Sequence, residues 1–217
     1  YNWDSHGIYE NVYVYDFASL YPNIIRGLKL SPENYPMSTI QHSHEKNLHL
    51  VIRKEAFKDV PEGVLDKYIT ELLELRKKFR AEGHDNEQLA TKILANSVYG
   101  ILSQKTAKFF LGGTHLASTV TFIGRNMLQT VSRLIKRHGI TTIYGKTDSI
   151  FINSPFGIDE TNEIMQKCVD EAWFLITGTE NFTLSMDFEG IYEKLWIINK
   201  NNYCYIKNGF INTKGGS

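Results

Sequence analysis

Only two cysteines, Cys168 and Cys204, occur in the 217 residues. They are too few and too far apart for a disulfide framework or a zinc site, and this favours a reduced, intracellular compartment. Charge of one sign is equally scarce: 24 Lys and Arg stand against 24 Asp and Glu, for a formal net charge of zero. A chain that holds nucleic acid chiefly through phosphates carries a basic excess. Here positive charge is only local, at Arg76, Lys77, Lys78 and Arg80 and at Lys105 and Lys108, so the composition does not advertise nucleic-acid binding. No uninterrupted apolar stretch is long enough to span a bilayer. The chain opens at Tyr1 without a basic-then-apolar leader, which reads as a piece of something longer or a processed chain. Neither internal repeats nor low-complexity segments stand out. What remains is ordinary globular composition, 42% hydrophobic and 22% charged, enough for one large or two modest domains with a real core.

Hydrophobic spacing predicts the elements. Val12, Val14 and Asp16 alternate with Tyr13, Tyr15 and Phe17, as in a strand that delivers a carboxylate to its end before a tight turn. Residues 31–60 read as irregular, and the histidines at 42, 44 and 49 as exposed loop residues. Pro61 and Gly63 punctuate the entry to a helix carrying Leu65, Tyr68, Ile69, Leu72, Leu73 and Phe79 at helical spacing. A turn at Gly83-His84-Asp85-Asn86 leads to a second helix ending near Ile101, giving a helical hairpin. In that helix Ala90, Leu94, Ser97, Val98 and Ile101 are expected to pack inward. A third helix is expected over 114–138, strands over 141–145 and 148–153, and a helix from a capping Asp159 to about Ile176. The tail reads as strands 183–189, 192–199 and 202–206, with a turn at Asn208-Gly209. Strands scattered among helices predict an α+β fold.

Three strings carry the chemistry. The first is Val14-Tyr15-Asp16-Phe17-Ala18-Ser19-Leu20-Tyr21-Pro22-Asn23-Ile24-Ile25. A carboxylate at a strand end, followed by exposed backbone N–H groups, can hold a divalent cation and a phosphate together. The second is Lys92-Ile93-Leu94-Ala95-Asn96-Ser97-Val98-Tyr99-Gly100, and the third Tyr144-Gly145-Lys146-Thr147-Asp148-Ser149. In order, they resemble motifs A, B and C (DxxSLYPxII, KxxxNSxYG and YGDTDS) of family B DNA polymerases. The Thr121-Phe122-Ile123-Gly124-Arg125 segment is similar to that family's TxxGR helix, and the resemblance runs from residue 9 to about 215.

The resemblance implies an antiparallel palm sheet covered by helices, with a helical-hairpin fingers insertion. It divides the chain into palm (1–60), fingers (61–112) and palm again (113–217), without the exonuclease and thumb of a longer polymerase. It implies primer–template DNA and deoxynucleoside triphosphates as partners, and no membrane. The setting would be a DNA-containing compartment: the cytoplasm of a prokaryote, a nucleus or a viral replication site. It assigns catalysis to Asp16 and Asp148, and two Mg2+ ions, replaceable by Mn2+, to Asp16, Phe17 and Asp148. Ser19, Leu20 and Tyr21, with Arg76, Arg80, Lys92, Asn96 and Tyr99, would bind the nucleotide, Tyr21 lying under the sugar. Arg80 stands where the family typically has lysine, which keeps the charge and changes the geometry. Lys200 and Tyr203 would touch the primer, although Asn201 replaces the second lysine of that segment. Asp187 and Glu189 are secondary candidates near the metals, a solvated strand face being an equal alternative, and Thr147 is a further candidate without an assigned role.

One residue departs sharply. Lys146 stands where the first aspartate of motif C is expected. A cation two residues from Asp148 offsets part of the negative field that collects metal. A degenerate, catalytically silent scaffold or nucleic-acid-binding subunit therefore stays open beside an active core, whereas Tyr21 and Lys92 argue against a binding sheet without chemistry, which has no need of a triphosphate face. A P-loop reading of Gly139 to Thr147 fails, because five residues separate Gly139 from Gly145 where that motif has four. Asn181-Phe182-Thr183 is a glycosylation sequon by pattern only and is expected to be idle.

Overall fold

The structure, a computed structural model, describes residues 6–34, 59–103, 113–199 and 201–215. Among these it contains five α-helices and a six-stranded sheet. The strands are β1 (Gly7–Phe17), β2 (Thr141–Lys146), β3 (Ser149–Asn153), β4 (Met186–Asn199), β5 (Asn202–Lys207) and β6 (Phe210–Lys214). The helices are α1 (Leu20–Gly27), α2 (Val64–Ala81), α3 (Asp85–Ser103), α4 (Gly113–Lys136) and α5 (Ile158–Thr177). The α+β class expected from the sequence is the one observed. No helix among the described residues is long and apolar enough to cross a membrane.

The chain divides into two compact units. The first comprises the segment up to Ala18, Asn126–Ala172 and the segment from Ser185 onward, and among the described residues it holds all six strands. Sheet order is β2-β3-β1-β4-β5-β6, with each neighbouring pair antiparallel. β1 is central because both of its faces are apolar. Val12 and Val14 join Ile143, Tyr144, Phe151, Tyr192, Leu195 and Ile197 in a buried cluster, against which Tyr9, Tyr203 and Tyr205 pack. Tyr13 and Tyr15 point the other way, onto Phe188, with ring centroids 5.8 and 5.4 Å away. Hydrogen bonds bind the helices to this sheet: the Tyr15 hydroxyl donates to Asn162 Oδ1 at 2.6 Å, and Ser132 Oγ lies 2.8 Å from Thr142 Oγ1.

The second unit comprises Ser19–Arg125 and Trp173–Leu184. Its α1 packs on α2 and α3, burying Leu20, Ile24 and Ile25 beside Ile69, Leu72, Ala95, Val98 and Leu102.

Three expectations need correction. The stretch after Asp16 was expected to be only a turn, yet it turns directly into α1. Pro22 is accommodated because it falls in the first helical turn, where its missing N–H has no partner to lose. The two strands expected over 183–199 are one strand, β4, bent at a bulge where Gly190 takes φ 128°. Residues 181–184 form instead a turn in which Asn181 Oδ1 accepts the N–H groups of Thr183 and Leu184 at 3.1 and 2.8 Å. In α3 the inward stripe is Thr91, Ala95, Val98 and Leu102, whereas Leu94 and Ile101 are exposed. The helix is rotated by about one residue from the expected face.

Candidate active site

In the first unit, cross-strand register aligns a row of polar residues. Lys146 on β2 lies opposite Ser149 on β3, Ser149 opposite Asp16 on β1, and Asp16 opposite Asp187 on β4. Directly opposed residues of antiparallel strands share a face, so all four side chains belong to one face of the sheet. A hydrogen bond fixes part of the row: Ser149 Oγ donates to Asp16 Oδ1 at 2.8 Å. At the next strand, Ser185 Oγ donates weakly to Asp187 Oδ1 at 3.4 Å. Neither serine was given a role from sequence, although Ser149 closes the motif C string.

Asp148 sits in the turn joining β2 to β3. Thr147 takes φ 56°, and the Asp148 N–H donates back to the Lys146 carbonyl at 2.7 Å, closing a three-residue turn. The Phe17 N–H donates to the Asp148 carbonyl at 2.9 Å. Motif A and motif C are thus joined backbone to backbone at the end of β1. Asp187 and Glu189 were expected on one face from their spacing of two. The bulge intervenes, since Phe188 opposes Tyr15 and Gly190 opposes Val14, which leaves Glu189 without a cross-strand partner.

Tyr203, on β5, is half-buried in the aromatic cluster, its ring 5.7 Å from Tyr144 and 5.4 Å from Phe151. Burial, then Tyr144 and Tyr205 beside it, pushes its hydroxyl up to about 12. Lys200 lies outside the described residues, as do the histidines at 42, 44 and 49 and the lysines at 105 and 108.

In the second unit, Ser19 precedes α1 in the left-handed conformation (φ 48°, ψ 57°), and its hydroxyl does not cap the helix. It accepts instead from Arg76 Nη1 of α2 at 2.8 Å. Arg76 Nε also reaches Gln88 Oε1 of α3 at 3.4 Å, a long contact that nevertheless ties three helices to one guanidinium. Tyr21 and Tyr99 meet with ring centroids 4.6 Å apart, tilted by 45°. Gly124 of α4 lies under the same tyrosine: a Cβ there would come within 3.2 Å of Tyr21 Cε1 and 3.3 Å of Leu20 Cδ2. Lys92 and Asn96 are exposed on the stripe that carries Tyr99, and Arg80 is exposed one turn beyond Arg76. Gln88 and the contact made by Gly124 carried no separate signal in sequence.

The donor chemistry fits a hard cation. Two carboxylates and backbone oxygens suit Mg2+, which protein groups commonly bind through one or two carboxylates, leaving other positions to water and substrate phosphate. Among the described residues no group of three or more His, Cys, Asp and Glu side chains is placed to hold a metal ion.

The model of DNA polymerase family B matches residues 4–215. The chain is 30% identical over 213 residues to the DNA polymerase alpha catalytic subunit of Arabidopsis thaliana, covering 93% of this chain and 13% of that protein. It is 30% identical over 230 residues to the DNA polymerase delta catalytic subunit of Oryza sativa subsp. japonica, covering 91% and 20%. DNA polymerase II of Escherichia coli is 32% identical over 150 residues, covering 67% and 18%. The solved family B DNA polymerase of the archaeon Pyrobaculum calidifontis superposes with a TM-score of 0.65 at 28% identity, covering 98% of this chain and 28% of that one. The chain therefore spans about a fifth or less of the curated relatives named here.

Proposed function

This chain belongs to DNA polymerase family B, and on that premise we propose that it is the nucleotidyl-transfer core of a DNA-directed DNA polymerase. Its substrates in this reading are primer–template DNA and deoxynucleoside triphosphates, and an exonuclease and a thumb would complete it. Residues 1–60 and 113–217 serve as palm and 61–112 as fingers. The observation that carries the proposal is the backbone hydrogen bond at the end of β1, where Phe17, next to Asp16 of motif A, donates to the carbonyl of Asp148 of motif C.

In the reaction, the primer 3′-hydroxyl oxygen bonds to the α-phosphorus of the nucleotide, the α–β bridge breaks, and pyrophosphate leaves. Asp16, Asp148 and the Phe17 carbonyl would hold two Mg2+ ions, with Mn2+ as a substitute, and these would supply activation of the hydroxyl and neutralisation of the leaving group. Ser19, Leu20, Arg76, Arg80 and Lys92 orient the triphosphate, and the Tyr21 face leaves no volume for a 2′-hydroxyl. Asn96 and Tyr99 border the new base pair, and Lys200 and Tyr203 hold the primer end. Thr147 sets the turn that presents Asp148. Asp187 and Glu189 add negative charge beside it.

A silent scaffold remains the competing reading, because Lys146 occupies the same row as Asp16 and Asp187. Calorimetric titration of Mn2+ with a deoxynucleotide distinguishes the two. Asp16→Ala and Asp148→Ala are each expected to abolish metal-dependent nucleotide binding with the fold intact by circular dichroism. Lys92→Ala is expected to weaken binding roughly tenfold or more, since a charged contact contributes about 1.5–3 kcal/mol. Unchanged binding in all three variants favours the scaffold.

A further inference from the structure

The face that carries Asp16 also carries two lysines whose ammonium groups have capacity to spare. Lys146 is exposed, and among the described residues no ion pair joins it to Asp16 or Asp187. The carboxylate oxygen nearest along the row is already engaged by Ser149, which stands between them. Lys146 is therefore not held as a counter-ion of the aspartates.

Lys207 reaches the same face from β5. Its Nζ donates to the Glu189 carbonyl at 2.6 Å and lies over Gly190, which opposes Val14 of the Asp16 face. A Cβ on Gly190 would meet Lys207 Cε at 2.9 Å and Nζ at 3.0 Å, and the φ of +128° is one that side chains rarely adopt. The positive φ is what calls for glycine here, and the tip of Lys207 lies directly over it. An ammonium carries three donors, and the carbonyl takes one of them.

Lys146 follows Tyr144 on β2 and Lys207 follows Tyr203 on β5; the two strands run the same way in the sheet, and the two rings meet at 5.7 Å. Both lysines therefore lie beyond the same end of the tyrosine cluster, toward the Asp16 row. Two cations at that end of one sheet face, one anchored and one unpaired, suit the phosphates of a strand that reaches the row.

We propose that Lys146 and Lys207 each hold a backbone phosphate of the nucleic-acid strand laid across this face. The proposal rests on the polymerase-core reading and extends it: the substitution at position 146 exchanges a metal-attracting charge for grip on the strand. The chain's zero net charge makes such local contacts the main source of affinity.

The test is the salt dependence of binding of a fluorescein-labelled primer–template to the chain, followed by anisotropy from low to physiological salt. Each phosphate contact adds about 0.9 to the slope of log affinity against log salt. Lys146→Gln and Lys207→Gln are each expected to lower the slope by about that amount, and the double variant by about twice as much, equally on two unrelated sequences. Lys207→Arg, which keeps the charge, is expected to retain the slope, which separates loss of contact from loss of fold. A steep parental slope unchanged in the double variant overturns the lysine assignment and leaves the polymerase-core reading standing. No salt-dependent binding by the parent overturns the lysine assignment, while the polymerase-core reading stands or falls with the metal-dependent nucleotide titration. If Lys146→Gln keeps the slope but tightens Mn2+ binding, Lys146 is a counter-cation of the aspartates and the proposal falls.

Discussion

Tyr21 sits between two constraints, the Tyr99 ring at 4.6 Å and the missing side chain of Gly124. If its face is the sugar gate, Tyr21→Ala is expected to admit ribonucleotides far more readily in a primer-extension assay. Gly124→Val approaches the same tyrosine from below. The added carbons must displace the ring or the helix, so partial loss of sugar discrimination is expected without any change at Tyr21 itself. Unchanged deoxynucleotide preference in both variants removes Tyr21 from the site. The cysteines differ as sharply. Cys168 is buried on α5 and burial pushes its thiol up to about 11, while Cys204 is only half-buried. The thiolate is the reactive form, so a maleimide at neutral pH is expected to label Cys204 first and Cys168 only upon unfolding. Mass spectrometry of the labelled peptides reads the order.

At the scale of elements, α2 depends on a cap assembled from distant sequence. The Gly63 N–H donates to Asp66 Oδ1 at 2.7 Å, the Val64 N–H to Glu33 Oε1, and the Leu65 N–H to Ser31 Oγ at 2.8 Å. Three of the helix's unpaired donors are satisfied in this way. Asp66→Ala is expected to cost about 1–3 kcal/mol, as loss of a buried cap does, measurable by urea denaturation. Burial raises the Asp66 carboxyl above its ordinary value, outweighing the hydrogen bonds from Gly63 and Ser31 that lower it. A raised folded value means that the group's contribution is full below the ordinary aspartate range and fades as pH climbs through the folded one. Asp66→Asn, which does not titrate, is therefore expected to gain on the parent as pH rises from about 4 to 7. None of this cap was legible beyond Pro61 and Gly63. By contrast α2, α3, α4 and α5 were legible to within a few residues, because their apolar spacing is long and regular. α1 was not: its eight residues are too few for periodicity to outweigh the turn signal of Ser19 and Pro22. The inward face of α3 was misread because Leu89, Ile93, Leu94 and Ile101 are apolar and exposed, so hydrophobicity pointed to the wrong side.

For the whole molecule, the three motif strings identified the family, yet they do not encode strand order. That β4, far along the chain, lies beside β1 and brings Asp187 opposite Asp16 follows only from the sheet, as does the placement of Lys146 in that row. The tertiary feature least visible in sequence is the tyrosine cluster. Tyr192 and Tyr205 stack at 3.9 Å with planes 17° apart, and Tyr203 and Tyr144 close the group. Burial raises the hydroxyls of Tyr15, Tyr144 and Tyr192 as well as that of Tyr203, which reaches about 12. An unfolded tyrosine ionises near 10. The stability that these groups contribute is thus full below about pH 10 and is lost as pH rises toward the folded values. In a stepwise alkaline titration, tyrosinate absorbance from the buried rings is expected to appear together with loss of β-sheet circular dichroism, because the rings ionise by way of unfolding. Tyr192→Phe removes one ionisable group while keeping the ring, and is expected to move that transition to higher pH. Smooth ionisation of every tyrosine near 10 with the sheet intact would mean that the cluster is open to solvent.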